Sequence, residues 1–216
     1  MGDPIDGKIF LLTTSDGGVS WKPSGNSPQT RPGEAGFAAS GTNMITTSGS
    51  NIFIALGSGL KGEVSETSHI AISRDAGKKW TMASVPILRD PSSGIFSVCF
   101  FNQKCGMVVG GNYTLADDKT HNYAVSSDGG MTWTIPGGAK PPSGFRSCVT
   151  RGQHRGVPCA ITVGPSGTDV SFDFGHTWRR ISETGFHSIQ FSPSGSRGWA
   201  SGSNGRIGLW QPSSNQ

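Results

Sequence analysis

Apolar and polar positions alternate along this chain in short runs, and no stretch holds the 3.6-residue period of a convincing helix. Gly94-Ile95-Phe96-Ser97, Gly144-Phe145-Arg146-Ser147 and Gly185-Phe186-His187-Ser188 each open an apolar strand, with Gly36-Phe37-Ala38-Ala39 as a weaker copy. A second apolar run follows each and ends on glycine: Ile52 to Gly57, Met107 to Gly111, Ala160 to Gly164 and Trp199 to Gly202. A loop then leads to a third run that enters a turn. The turn is written four times: Thr14-x-Asp16-x-Gly18-x-Ser20-Trp21, Ser73-x-Asp75-x-Gly77-x-Lys79-Trp80, Ser126-x-Asp128-x-Gly130-x-Thr132-Trp133 and Ser171-x-Asp173-x-Gly175-x-Thr177-Trp178. Each copy joins a hydroxyl-bearing strand end to an Asp that can accept turn N–H groups, a Gly free to take positive φ, and a Trp that anchors the next strand. The repeating unit is therefore a four-stranded meander, with strands A, B, C and D.

Units recurring at roughly 45 to 60 residues cannot bury their own faces and must stack on one another, which is the logic of a β-propeller. Three meanders are complete, over roughly 35–84, 94–135 and 144–182. Lys8 to Trp21 supplies C and D strands only, and Phe186 to Trp210 supplies A, B and C. The expectation is an all-β chain, one propeller domain over 1–216, of about five antiparallel blades with one incomplete, or four as the alternative. An N-terminal hairpin that finishes or flanks the last blade would close the ring and remove open edges.

Composition agrees: 33 Gly, 13 Pro and only 15% charged residues suit short strands and tight turns. The net charge is +4, but Lys and Arg are scattered, which argues against a nucleic-acid partner. No apolar run approaches membrane-spanning length, so no membrane insertion is expected, and Met1-Gly2-Asp3-Pro4 opens no secretory pattern. The compartment stays open. Cys99 with Cys105, and Cys148 with Cys159, each span a proposed hairpin, so cross-strand disulfides are conceivable, with buried free thiols the preferred reading.

The four turns resemble the Asp-box, or BNR repeat, of sialidases, sortilin-type receptors and the photosystem II assembly-factor-like propellers. Beyond the turns, Gly2-Asp3-Pro4-Ile5-Asp6-Gly7-Lys8, Phe37-Ala38-Ala39-Ser40-Gly41-Thr42-Asn43, Gly164-Pro165-Ser166-Gly167-Thr168-Asp169 and Gly202-Ser203-Asn204-Gly205-Arg206 are similar to a bacterial branch of the assembly-factor group. Members of that branch usually begin with several more blades, so the resemblance implies a short form or a truncated piece. It also implies a non-catalytic propeller that engages a peptide or protein.

In such a meander the C–D turns lie on one face and the B–C and D–A loops on the other. Asp16, Asp75, Asp128 and Asp173 are then structural turn residues, and Trp21, Trp80, Trp133 and Trp178 anchors between blades. The opposite face gathers the candidate chemistry. Phe96, Arg146 and His187 precede the repeated Ser and should face the channel, with Glu34 on a D–A connection and Asp169 and Arg206 beginning C strands. The longest B–C loop carries Asn112, Asp117, Asp118 and His121. From these residues the expectation is a hydrolase of a small ester or lactone: Asn112, Asp117 and Asp118 hold Ca2+, and Phe96, Ser97, Ser147, Arg206 and Glu34 bind substrate. His187, Arg146 and Asp169 supply the catalytic groups. The binding module is the alternative. Sialidase chemistry fits poorly, since only Arg146 and Arg206 fall on this face and neither Tyr113 nor Tyr123 has a partner; a serine hydrolase lacks its nucleophile elbow.

Overall fold

Each Asp turn closes on itself, and that closure fixes the strands beside it. In the computed structural model, which describes residues 1–38, 40–57, 62–138 and 140–211, the Ser126 hydroxyl donates to Asp128 at 2.9 Å and accepts the Gly130 N–H at 2.8 Å. The Asp128 carboxylate accepts the Thr132 N–H at 3.0 Å and the Thr132 hydroxyl at 2.6 Å. Asp16 and Asp173 repeat this set. Lys79 replaces the second hydroxyl beside Asp75, which keeps the Ser73 hydroxyl at 2.9 Å and the Lys79 N–H at 2.8 Å. None of these bonds spans more than four residues, so the hairpin tip is specified locally. Ala39, at the end of the weaker strand-opening copy, lies outside the described residues.

The strands of the described residues fall into five successive units. In the first, β1 (Gly2–Ile5) pairs with β2 (Lys8–Phe10), which continues past Leu11 as β3 (Leu12–Thr13) against β4 (Lys22–Pro23). A B-like strand thus joins the expected C and D strands, because Asp6 and Gly7, with φ of 51° and 73°, make a tight hairpin at the N-terminus. The second unit is a complete meander of β5 (Met44–Thr47), β6 (Asn51–Ala55), β7 (Ser68–Ser73) and β8 (Thr81–Val85). The third has β9 (Ser93–Phe100), β10 (Gly106–Asn112) and β11 (Tyr123–Ser126), with the D strand reduced to a bridge between Val125 and Thr134. The fourth is complete: β12 (Cys148–His154), β13 (Val157–Gly164), β14 (Gly167–Ser171) and β15 (Arg179–Ser182). The fifth has three strands, β16 (Ser188–Phe191), β17 (Gly198–Ser201) and β18 (Ile207–Trp210). Strand order follows chain order in every sheet, and the pairing of strands within each sheet is antiparallel, as in propeller blades.

Units pack face to face in the same order. Ile9 and Leu11 meet Ile54, Leu56 and Ala71; Phe53, Ile70 and Val85 meet Ile95, Val98 and Val108. Met107 and Val125 meet Val149 and Ala160; Cys159, Ile161 and Val170 meet Ile189, Phe191 and Ala200. Three of the four turn Trp residues reach back into the preceding unit: Trp80 into the first interface, Trp133 into the second and Trp178 into the third. Trp133 is 6% exposed, whereas Trp21 is 58% exposed. The expectation that all four are interblade anchors is corrected at Trp21, because no described unit packs ahead of its sheet. Nor does the N-terminal hairpin close the ring: Leu12 and Trp21 at one end, and Trp199 and Leu209 at the other, stand open to solvent. All four cysteines are free thiols, and three of them, Cys99, Cys148 and Cys159, are buried.

Candidate functional site

The face on which the A strands begin is closed. Phe96 stacks on Phe37 with ring centroids 3.7 Å apart, and Phe145 meets it edge-on at 4.7 Å. Tyr113 covers both Phe37 and Phe96 at 6.2 Å. One residue further on, the Ser97 hydroxyl lies 2.6 Å from that of Thr42 and accepts the Val149 N–H at 2.9 Å. Ser40 donates to the Ser147 carbonyl at 3.3 Å, and Thr42 to the Cys148 thiol at 3.4 Å. Aromatic rings and hydroxyls from three units therefore occupy the axis where an open mouth was expected.

Arg146 and Asp169 do come together, but with each other. Both are buried; the Arg146 Nε donates to Asp169 at 2.7 Å, and Ser143 adds its hydroxyl at 2.6 Å and its N–H at 3.1 Å. Arg146 also donates to the Phe145 carbonyl at 2.8 Å and to the Ser166 hydroxyl at 3.1 Å. Burial pulls the guanidinium below its ordinary value while Asp169 opposes the shift. The pair ties a strand A opening to strand C of the same blade and holds the Asp169 carboxylate in a buried ion pair, away from solvent. Glu34 is buried as well, 2.6 Å from the Nδ1 of His69.

The remaining candidates are dispersed. His187 is exposed, its Nε2 2.8 Å from the Ser203 hydroxyl, while its carbonyl accepts the Ser147 hydroxyl at 2.7 Å. Arg206 is exposed and donates to the Gly185 carbonyl at 2.8 Å. Asn112 accepts the Thr114 N–H and hydroxyl at 2.9 and 2.7 Å, Asp118 accepts the Thr120 N–H at 2.9 Å, and Asp117 is exposed. These oxygens close on their own loop, and among the described residues no three His, Cys, Asp or Glu side chains gather to hold a metal.

The opposite face is open. A cavity of about 1100 Å³ lies between the inner strands β5, β9, β12 and β16, on the side of the A–B and Asp turns. Its wall includes Thr46, Gln103, Thr150, Gln153, Gln190 and Ser194. Arg151 is the one charged side chain among the described lining residues, and it donates to the Phe101 carbonyl at 2.8 Å. Cys99 also lines it, but burial pushes that thiol up to about 12. At the rim Phe174 meets Phe101 edge-on at 5.1 Å. Phe174 has φ of 58°, a left-handed conformation that costs a bulky residue roughly 1–2 kcal/mol. The signal was present in the sequence: the equivalent turn positions hold Gly17, Ala76 and Gly129, so a Phe there is the exception.

No protein-family model matches the sequence, and no curated protein matches it. Among solved structures the chain is similar to YCF48 from Cyanidioschyzon merolae, at 19% identity and a TM-score of 0.53, over 95% of this chain and 61% of that one. It is similar also to YCF48 bound to D1 peptide, at 16% identity and a TM-score of 0.53, over 96% and 58%. The NanB sialidase from Streptococcus pneumoniae matches at 16% identity and a TM-score of 0.52, over 94% and 34%. At these identities the likeness establishes the β-propeller fold alone. The chain spans about three fifths of the length of the two YCF48 chains.

Proposed function

We propose that this chain is a non-catalytic recognition propeller that takes a polypeptide segment into its axial cavity. One observation carries the reading, the chemistry of the wall. Among its described residues the titratable groups are Arg151 and a Cys99 thiol pushed up to about 12. Acid–base or nucleophilic catalysis needs a group that changes protonation near neutral pH; burial takes the Cys99 thiol away from that range, and a guanidinium is a donor without a proton to exchange. Hydroxyl and amide side chains on a preformed wall, beside inner strands paired on one side only, suit a peptide backbone instead. Arg151 supplies one fixed positive charge, which favours segments that carry a carboxylate. That YCF48, a propeller of similar fold, has been solved with a D1 peptide supports the same use of the architecture.

The test is a peptide array of acidic, neutral and basic extended sequences against the purified chain. Acidic segments should bind, with affinity falling at least about tenfold in Arg151→Glu and again in Thr150→Trp, which fills the cavity. Binding indifferent to both substitutions would refute the site. The rival hydrolase reading has one exposed catalytic candidate, His187. Turnover of any ester, lactone or glycoside in a panel run with and without chelator, and lost in His187→Ala, would put the hydrolase in place of the binding module.

A further inference from the structure

The fourth Asp turn departs from the other three at one position. The residue after the turn Asp is Gly17, Ala76 and Gly129 in the first three turns and Phe174 in the fourth, and all four carry positive φ, from 58° to 80°. Glycine takes this conformation without strain, whereas a Phe there crowds its Cβ against the following carbonyl. The hairpin tip gains nothing in return. The bonds that close it run between Ser171, Asp173, Gly175 and Thr177, and the Phe174 ring stays 49% exposed. A strained side chain that the turn does not use, held at the rim of the cavity, is placed for a ligand.

Phe101 brings that ring beside the charge of the cavity. Its own ring meets Phe174 at 5.1 Å, and its carbonyl accepts the Arg151 guanidinium at 2.8 Å. Phe174 and Arg151 both line the wall, while Phe172, 45% exposed in the same turn, does not. An apolar surface and a cation thus flank one residue, within the span of a few residues of an extended chain. The surrounding turns add no competing acid. Between strands A and B of the third to fifth units stand Lys104, Arg155 and Arg197 and no Asp or Glu. The carboxylates of the Asp turns are the turn Asp residues themselves, each bonded within its own turn.

We propose that Phe174 is a specificity-determining contact for the segment taken into the cavity, which rests on the peptide reading of that cavity. Phe174 packs on a bulky apolar side chain of the segment while Arg151 pairs with an Asp or Glu a few positions away. The partner is then an extended acidic stretch punctuated by an aromatic or branched aliphatic residue, and not a uniformly acidic one. The open half of the Phe174 ring supplies the apolar area, and its edge-on packing against Phe101 orders the ring before the segment arrives.

The experiment is titration of the 216-residue chain with acetylated and amidated Gly/Ser peptides in which a Glu-Glu pair is followed, at successive spacings, by Phe, Leu or Ala. At the matching spacing the Phe and Leu peptides should bind at least about tenfold more tightly than the Ala peptide. Phe174→Gly should bind all three at the level of the Ala peptide, and its melting temperature should not fall, since its turn then matches the first and third. Phe172→Ser should keep the preference. Phe and Ala peptides that bind wild type alike overturn the proposal, as does a preference that survives in Phe174→Gly. A melting temperature that falls in Phe174→Gly with the preference intact would mean that the ring only shields Phe101. Arg151→Glu separates the two ways of failing. Affinity that is lost there but shows no preference for Phe over Ala overturns the Phe174 contact alone. Affinity indifferent to Arg151→Glu, or no binding by any peptide, overturns the peptide site and the contact together.

Discussion

Replacing Trp133 and Trp21 by alanine removes the same side chain from the same turn in two settings. The Trp133 indole is 6% exposed, lies edge-on to Phe100 at 6.1 Å, and donates its N–H to Gly130 at 2.8 Å. Truncating a buried aromatic of this kind costs about 3–5 kcal/mol, the lost burial plus the cavity left behind. At about 2–4 °C per kcal/mol for a chain of this size, the melting temperature should fall by roughly 6–20 °C. Trp21 makes the same local bond to Gly18, at 3.0 Å, but its ring is mostly in water. Its removal should stay within about 0.5 kcal/mol, as for ordinary surface substitutions. Urea unfolding measures both. If Trp21→Ala and Trp133→Ala cost the same within about 1 kcal/mol, the residue serves the turn and not the interface, and the account of packing fails.

Two further outcomes follow from polar groups. Burial raises the Asp128 carboxyl, but bonds from the Thr132 hydroxyl and N–H, the Ser126 hydroxyl and the Met131 N–H outweigh it and hold the group down at about 2. A depressed acid stabilises the fold above its ordinary value of 3.8 and loses that contribution as pH falls toward 2, so the urea midpoint of wild type should drop more steeply across that window than that of Asp128→Asn; parallel profiles would refute the capping role. Arg146→Ala leaves Asp169 buried without its partner and should cost about 3–5 kcal/mol, most of it recovered in the double variant Arg146→Met, Asp169→Leu. Unchanged stability in Arg146→Ala would instead mark the pair as spare for a ligand.

The turns were legible in the sequence because every bond that makes them lies within a few residues of its donor. Strand order followed, since a meander needs only the sequence of turns. The A-strand face was not legible for the opposite reason. Whether Phe96 lines a channel or closes it depends on Phe37, 59 residues earlier, turning onto its ring. Whether Asp169 meets solvent depends on Arg146 folding inward across two strands. Both outcomes rest on pairings that no spacing rule expresses. The cavity escaped for a third reason, because most of the polar part of its wall is Ser, Thr, Asn and Gln, residue types that carry no signature of chemistry when read in line. Only Phe174, a bulky residue where its counterparts are small, pointed toward it.

Units that touch mainly their chain neighbours form a one-dimensional array, in which stability is a sum of unit and nearest-neighbour terms and unfolding can begin at any seam. The hydroxyls of Ser40 and Thr42 break that rule. They reach past the third unit to Ser147 and Cys148 of the fourth, so opening either flanking seam also breaks a bond at the axis. The second, third and fourth units are thereby fastened into one block. The wall of the cavity is drawn mostly from that block, so the cavity keeps its shape as long as those three units stay fastened.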